Sequence, residues 1–313
     1  MNKFANTALI LSVCVSGLFA SATTTNSTVV YTVKGDASKA YDMMMDKPIK
    51  ALGYRLPDPR KAVNAVYKKQ YGSTTLDTLN FMTILNEKKM IPLLELEPKL
   101  AGFNPFNLVA YKHSSKDETV IAHLTPDAMM DMLDITDTKV ISEYKKMMDE
   151  LDALVSKTFP TARISHDKYE GTVDDSMMHF EMEFERPEDL DDFIDDIQEK
   201  IEGTFIKKGY VMAGFFDYKM AGGDALPSYD SFWTYSLCHF PYSFAIFDNE
   251  GAMPEASVFA PCTMYLYIKK DTHTLVLGMP RLANWNKLFL ILLLLSPFSK
   301  GNFFFFSSSL KIL

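Results

Sequence analysis

The sequence contains few cysteines and no excess of basic residues, and both features limit what the protein can be. Three of the 313 residues are Cys, and Lys and Arg together number 32 against 40 Asp and Glu. Binding to a phosphate backbone needs clustered Lys and Arg, so this acidic chain excludes nucleic acid as the leading partner. A chain with 47% hydrophobic residues, 23 Phe and 15 Tyr is neither disordered nor fibrous.

Motifs of common catalytic and metal sites are also missing. The six His residues make no i, i+4 pair, and the sequence has no His-Glu-x-x-His, no Gly-rich phosphate loop and no Gly-x-Ser-x-Gly. The acidic run from Glu188 to Glu199 lacks the spacing of an EF-hand loop and is typical of a solvated helix face. We therefore predict no catalytic residue, no cofactor and no metal site, and favour a non-catalytic role.

Segment 1–22 has the features of a secretory signal peptide. Lys3 supplies a positive start, Ala8–Leu18 an apolar stretch, and Ala20-Ser21-Ala22 a cleavage site of small residues. The apolar stretch is shorter than the ~20 residues that a membrane-spanning helix needs. We expect cleavage near Ala22 and a periplasmic or secreted mature protein.

Segment 288–313, at the other end, is unlike the rest of the chain. It includes the runs Leu292–Leu295 and Phe303–Phe306 and contains no acidic residue. The apolar stretch between Lys287 and Lys300 is too short to cross a bilayer as a helix and lacks the periodicity of a packed element, so we predict no stable membrane span. We interpret the segment as the product of a frameshift, with a short membrane-associating tail as the alternative.

A weak internal repeat links the two halves of the remaining chain. Segment 103–111 aligns with segment 259–267, and each is followed by a second alternating stretch that predicts a β-hairpin. The matched pairs all have the same separation along the chain, which we call the repeat offset; they are Phe103/Phe259, Pro105/Pro261, Leu108/Met264, Tyr111/Tyr267 and Val120/Val276.

The pattern around the repeat predicts an α+β fold with two related small domains, each a mainly antiparallel sheet with helices packed on one face. Pro187 and the stripe beginning at Leu190 predict one helix, and Lys139–Lys157 predicts another. The expected division is a signal peptide at 1–22, a first domain at 23–158, a linker at 159–174, a second domain at 175–287 and the tail at 288–313.

Two cysteines of the second half stand beside predicted strands. One strand ends at Ser236–Pro241, and Ala260–Thr263 opens the hairpin. This arrangement resembles the family called domain of unknown function 302 (DUF302), whose members carry a Cys at the end of one strand and a Pro-Cys pair at the start of the hairpin. Cys238 and Cys262 stand in those places, while His239 departs from the family pattern.

The resemblance is weaker in the first half, where Leu85-Asn86 and Pro105-Phe106 occupy the corresponding places. It implies tandem, divergent copies of a compact α+β domain, with the second copy the better match. The family often occurs in bacterial envelope proteins, and it brings no established activity.

Cys238, His239 and Cys262 are the first candidate site residues. Two Cys in an oxidising compartment could form one disulfide, Cys238–Cys262, or remain buried thiols, or serve as a redox or ligand site. A structural zinc site is disfavoured because it wants four ligands.

Aromatic residues near these cysteines give a second kind of candidate. Trp233 and Tyr235 lie in an alternating stretch that could line an apolar pocket, although an ordinary core explains them as well. We predict an exported, non-catalytic protein that binds a small apolar ligand or a peptide, of unknown oligomeric state. The alternative is a periplasmic thiol-redox or sulfur-handling protein that uses Cys238 and Cys262.

Overall fold

The computed structural model describes residues 25–169, 171–249 and 252–285, and it confirms an α+β fold with antiparallel sheets. The predicted signal peptide and the tail 288–313 lie outside the described residues. In chain order, the strands are β1 (Thr25–Asn26), β2 (Thr28–Lys34), β3 (Pro59–Arg60), β4 (Leu76–Ile84), β5 (Phe106–His113), β6 (Glu118–Leu124), β7 (Arg163–Ser165), β8 (Lys168–Tyr169), β9 (Met177–Glu183), β10 (Val211–Asp217), β11 (Tyr229–Cys238), β12 (Cys262–Lys269) and β13 (Thr274–Pro280).

The described residues also form helices of very different length. The α-helices are α1 (Ser38–Asp46), α2 (Pro48–Ala51), α3 (Val63–Tyr71), α4 (Glu87–Leu96), α5 (Pro126–Met132), α6 (Thr138–Thr158), α7 (Leu190–Lys207), α8 (Tyr218–Gly222) and α9 (Phe240–Phe247). Short 3-10 helices span Pro98–Phe103, Gly223–Ala225 and Pro254–Phe259.

The two large sheets have the same strand order. The first is β3-β4-β5-β6-β2-β7 and the second is β10-β11-β12-β13-β9, so they differ by the edge strand β7. All neighbouring strands in both sheets are antiparallel. Each half therefore places its first long strand beside the second strand of its hairpin.

The repeat offset extends well beyond the matched pairs of the sequence. It relates the first and last residues of β5 to those of β12, those of β6 to those of β13, and those of the 3-10 helices that precede the two hairpins. Within the hairpins the register is also the same, since Val109 pairs with Ala122 and Tyr265 pairs with Gly278. The peptide bonds before Pro105 and Pro261 are both cis.

The two long helices form where their apolar stripes predict them. α6 starts after Asp137, whose side chain accepts hydrogen bonds from the backbone N–H groups of Lys139 and Val140. α7 starts at Leu190 rather than at Pro187, because Asp189 caps it. The buried residues of α7 cover the outer face of the second sheet; they are Ile194, Ile197, Ile201 and Phe205.

The segment 159–174, expected as a linker, contributes strands to the first half. β7 within it pairs with β2, and β8 pairs with β1. The polar composition of this segment suits an edge strand, where one side of the backbone faces solvent. The first sheet thus reaches a sixth strand by using residues that lie after its last helix.

The sheets pack through reciprocal contacts of their 3-10 helices. Pro98–Phe103 lies on β12 and β13 of the second half, and Pro254–Phe259 lies on β5 and β6 of the first. The rings of Phe103 and Phe259, which are equivalent residues, meet edge to face with 5.9 Å between centroids. The arrangement resembles a two-fold dimer interface formed within one chain.

A buried carboxylate ties the two halves together at another place. Asp248, which is 1% exposed, follows α9 and accepts hydrogen bonds from Thr74 Oγ1 at 2.6 Å, Thr75 N at 2.6 Å and Thr75 Oγ1 at 3.0 Å. Because a buried carboxylate is costly without such partners, this loop of the first half depends on the second.

Candidate functional site

A cavity of about 560 Å³ lies between the two halves, where β11 ends and β12 begins. Its walls come from both halves and are mainly apolar. The first half contributes Asp58, Pro59, Arg60, Lys61, Val63, Val66, Phe81 and Thr83, and the second contributes Met178, Tyr210, Val211, Ala213, Leu237, Cys238, His239, Phe240, Tyr242, Ser243, Phe247, Ala260, Pro261, Cys262, Arg281, Leu282 and Trp285.

Strand geometry brings the two predicted cysteines to this cavity. Cys262 pairs with Leu237 across the β11–β12 ladder, so Cys238 stands one residue beyond it. Both side chains line the cavity as partly buried free thiols, so the structure shows the pair without a disulfide.

The environment of both thiols disfavours the thiolate. Burial raises the pKa of Cys262 to about 12, and the neighbouring Cys238 contributes to that rise. Burial also raises the pKa of Cys238, although Ser243 and Arg60 partly oppose that effect. A cysteine must be a thiolate to attack or to ligate a metal, so these thiols are poorly prepared for redox chemistry near neutral pH.

His239 also lines the cavity, beside the first thiol. Its ring lies 5.0 Å from the ring of Tyr210, and it packs close to Gly209. Its Nδ1 is buried without a hydrogen-bond partner among the described residues. Burial lowers the pKa of His239, which favours a neutral ring at neutral pH. The ring therefore contributes aromatic surface and one unused polar atom to this corner.

The structure places Trp233 and Tyr235 away from the cavity. Both are about 1% exposed and pack in the core beneath α7. The Tyr235 hydroxyl donates to Glu202 on that helix at 3.1 Å. The alternation of β11 puts these side chains on its outer face, so their aromatic surface is used in packing a helix rather than in lining the pocket.

Several cavity residues had no recognisable signal in the sequence. Arg60, Lys61 and Phe81 come from the first half and reach the site because the two sheets face each other. Arg281 and Trp285 follow β13 and close the site from the second half. Hydrophobic periodicity could identify Phe81 as a core residue, but it carries no information about which half lies opposite.

One wall of the cavity is closed by hydrogen bonds between the halves. Tyr67 of α3 donates to Ser243 Oγ of α9 at 2.8 Å, and Ser243 Oγ donates to Phe240 O at 3.1 Å. The Tyr67 ring also meets the ring of Phe244 at 5.5 Å. α3 and α9 therefore hold a fixed wall beside Cys238, as a preformed pocket requires.

The equivalent corner of the first half is filled. The repeat offset relates Gly53-Tyr54 to Gly209-Tyr210, and both glycines have positive φ, 89° and 83°. The Tyr54 ring packs edge to face on Phe106, the counterpart of Cys262, and its hydroxyl donates to the Met147 carbonyl of α6 at 3.2 Å. Helix α6 thus covers in the first half the corner that borders the cavity in the second.

Among the described residues, no group of three or more His, Cys, Asp or Glu side chains is arranged to hold a metal ion. The same residues include no helix with the length and apolar character needed to cross a bilayer.

No family model matches the chain, and no curated protein matches it. Among solved structures, the chain is similar to an uncharacterised conserved DUF302 protein from Bacillus stearothermophilus, at 15% identity and a TM-score of 0.34. That similarity covers 43% of this chain and 98% of the other.

Proposed function

We propose that the protein binds a small apolar ligand in the cavity between its two halves, without catalysing a reaction on it. The observation that carries the proposal is the cavity itself, whose 560 Å³ falls within the range of about 300–1,000 Å³ for small-molecule sites. Its walls include Val63, Phe81 and Phe247, all buried and apolar. Burial of apolar ligand surface against such walls supplies the driving force.

We also propose that the two halves are divergent copies of one DUF302-type domain. The common strand order, the common hairpin register and the constant repeat offset support duplication. The Cys238 and Pro261-Cys262 positions support the family. On this view the first copy retains the packing role, and the second supplies most of the ligand site.

Export to the periplasm or the medium belongs to the same proposal and rests on residues 1–22. N-terminal sequencing of the protein from a bacterial host tests it. Mature protein beginning near Thr23 in the periplasmic fraction would support export, and uncleaved protein in the cytoplasm would contradict it.

Binding of N-phenyl-1-naphthylamine, whose fluorescence rises in apolar surroundings, tests the cavity directly. Val66 lines the cavity and is 43% exposed. The larger side chain of Val66→Trp can therefore occupy the cavity without disturbing the packing of the protein core. We expect saturable binding to the wild type and at least tenfold weaker binding to Val66→Trp.

The matched control is Ile164→Trp, since Ile164 is 50% exposed on β7 and does not line the cavity. It should bind the probe like the wild type. Equal binding by wild type and Val66→Trp would place the probe elsewhere, and no saturable binding by the wild type would contradict the proposed function.

The thiol-redox alternative keeps one supporting observation, the closeness of Cys238 and Cys262. The raised pKa values of both thiols weigh against it.

A further inference from the structure

The cavity is more positive than the molecule that contains it. Among the described residues that line it, Arg60, Lys61 and Arg281 are cationic and Asp58 is the one carboxylate. The chain as a whole carries 32 basic against 40 acidic residues. The electrostatic field of a chain with net negative charge repels anions. The positive charge at the cavity therefore differs from that of the chain as a whole, and packing of the cavity walls does not require it.

The cations lie where the cavity meets solvent. The side chains of Arg60 and Lys61 are 53% and 56% exposed, and that of Arg281 is 35% exposed. The apolar walls described above are buried. The cavity is therefore amphipathic, with an apolar interior and a cationic opening.

Existing ion pairs leave these cations able to bind an anion. Arg60 pairs with Asp58 at 2.9 Å, Lys61 with Asp42 at 2.9 Å, and Arg281 with Asp175. Exposed pairs of this kind contribute about 0–1 kcal/mol, so sharing a cation with a ligand has a small cost.

Arg281 has spare donors, and Arg60, whose Nε and Nη2 contact Asp58, shows the same pattern. The contacts of Arg281 with Asp175 use Nε and Nη2, which leaves the two N–H groups of Nη1 for another acceptor. A guanidinium suits a carboxylate because its N–H groups lie in one plane.

We propose that the ligand is an amphiphile with an aliphatic chain and one carboxylate, the chain lying in the cavity and the carboxylate at the cationic opening. This inference rests on the proposed binding function. The carboxylate would bind to Arg281, with Arg60 and Lys61 adding to the local positive charge.

Calorimetric titration of the full chain with octanoate and with octan-1-ol tests the inference, because the two probes share a chain and differ at the end group. At low ionic strength we expect octanoate to bind at least tenfold more tightly than octan-1-ol. Added salt should weaken octanoate binding and leave octan-1-ol binding unchanged.

Arg60→Gln and Arg281→Gln should each weaken octanoate binding about fivefold and change octan-1-ol binding much less, and circular dichroism spectra like that of the wild type would show that the variants are folded. Arg163→Gln is the matched control, since Arg163 is an exposed residue of β7 that does not line the cavity. It should bind both probes like the wild type.

Equal affinity of the wild type for both probes, or equal loss of both in the Arg60 and Arg281 variants, would overturn the carboxylate inference and leave the binding function standing. Absence of binding of both probes and of the naphthylamine would instead contradict the binding function itself.

Discussion

The corner around Tyr54 in the first half and the corner around Tyr210 in the second have the same backbone plan and different contents. In the first, Phe106 and the carbonyl of Met147 on α6 fill the space. In the second, Cys262 replaces the larger ring and the corner borders a cavity. The same backbone plan thus has a filled corner in one half and a corner beside a cavity in the other, and the difference depends on side-chain volume and one helix.

The largest expected effect is on the reactivity of the thiols in the corner around Tyr210. It tests whether Cys238 and Cys262 serve only as small packing residues. With the pKa of Cys262 at about 12, its thiolate fraction at pH 8 is on the order of 10³-fold below that of a free cysteine. We expect iodoacetamide to modify Cys262 of the native Cys238→Ser variant at least about 100-fold more slowly than the same variant in urea. Equally fast modification in both states would favour the redox alternative.

Removal of the Asp152 side chain should strongly destabilise the first half, whose corner around Tyr54 is filled. Asp152 on α6 accepts from the Tyr31 hydroxyl at 2.6 Å and lies 2.8 Å from Nε2 of His123, which is fully buried. Asp152→Ala leaves both groups without this partner, and we expect a loss of about 3 kcal/mol in the free energy of unfolding. Urea denaturation measures it, with the exposed Asp149→Ala on the same helix as control.

The same carboxylate predicts a pH dependence. Burial alone would raise the pKa of Asp152, but the hydrogen bonds from His123 and Tyr31 outweigh it, and the net shift is downward. A lowered native pKa contributes stability above the unfolded pKa of about 3.9, and that contribution is lost as the pH falls through the native value. Asp152→Asn should therefore lose less stability than the wild type on acidification, and an unchanged acid profile would contradict this role.

Substitution of Gly278 tests whether the second hairpin needs a residue without a side chain opposite the large ring of Tyr265. A Cβ at Gly278 would lie 2.2 Å from the Tyr265 ring, whereas the first half has Ala122 opposite Val109. Gly278→Ala should cost about 2 kcal/mol through overpacking.

The variant Gly278→Ala/Tyr265→Val copies the first-half pair and tests that account. It should show a favourable coupling of about 1–2 kcal/mol in a double-mutant cycle. Additive losses measured by urea denaturation would mean that the contact between these two residues is not the cause.

Placing the aromatic ring of Phe106 at the equivalent position 262 of the second half gives the smallest expected effect. Cys262→Phe places the residue of position 106 at the cavity, and we expect about tenfold weaker probe binding, equivalent to about 1.4 kcal/mol. Fluorescence titration measures it, with Cys262→Val as the control of smaller volume. Undiminished binding by Cys262→Phe would show that this corner does not form part of the ligand site.

Local patterns in the sequence were sufficient to predict much of the fold. The Phe103/Phe259 and Pro105/Pro261 matches predicted two similar hairpins, and the apolar stripes of α6 and α7 predicted their extents closely. These features follow from side-chain period and capping, which act over short distances. The edge strand in segment 159–174 could not be predicted in this way, because whether a short polar stretch pairs as an edge strand depends on the sheet beside it.

The candidate site residues likewise divide into those that the sequence identifies and those that it does not. Cys238, His239 and Cys262 could be selected from sequence because they stand at predicted strand ends, and they do lie together. Trp233 and Tyr235 could not be separated from them, since alternation shows that they share a face and does not show what covers it. That face packs against α7.

By itself, then, the sequence determined the element types, the repeat and the positions of the two thiols, because backbone propensity and hydrophobic period are local properties. Only the tertiary structure decided that Arg60 and Phe81 of the first half face Cys238 and Arg281 of the second across a cavity. The physical reason is that a cavity between two packed sheets depends on contacts between residues far apart in the chain, and no local pattern encodes them.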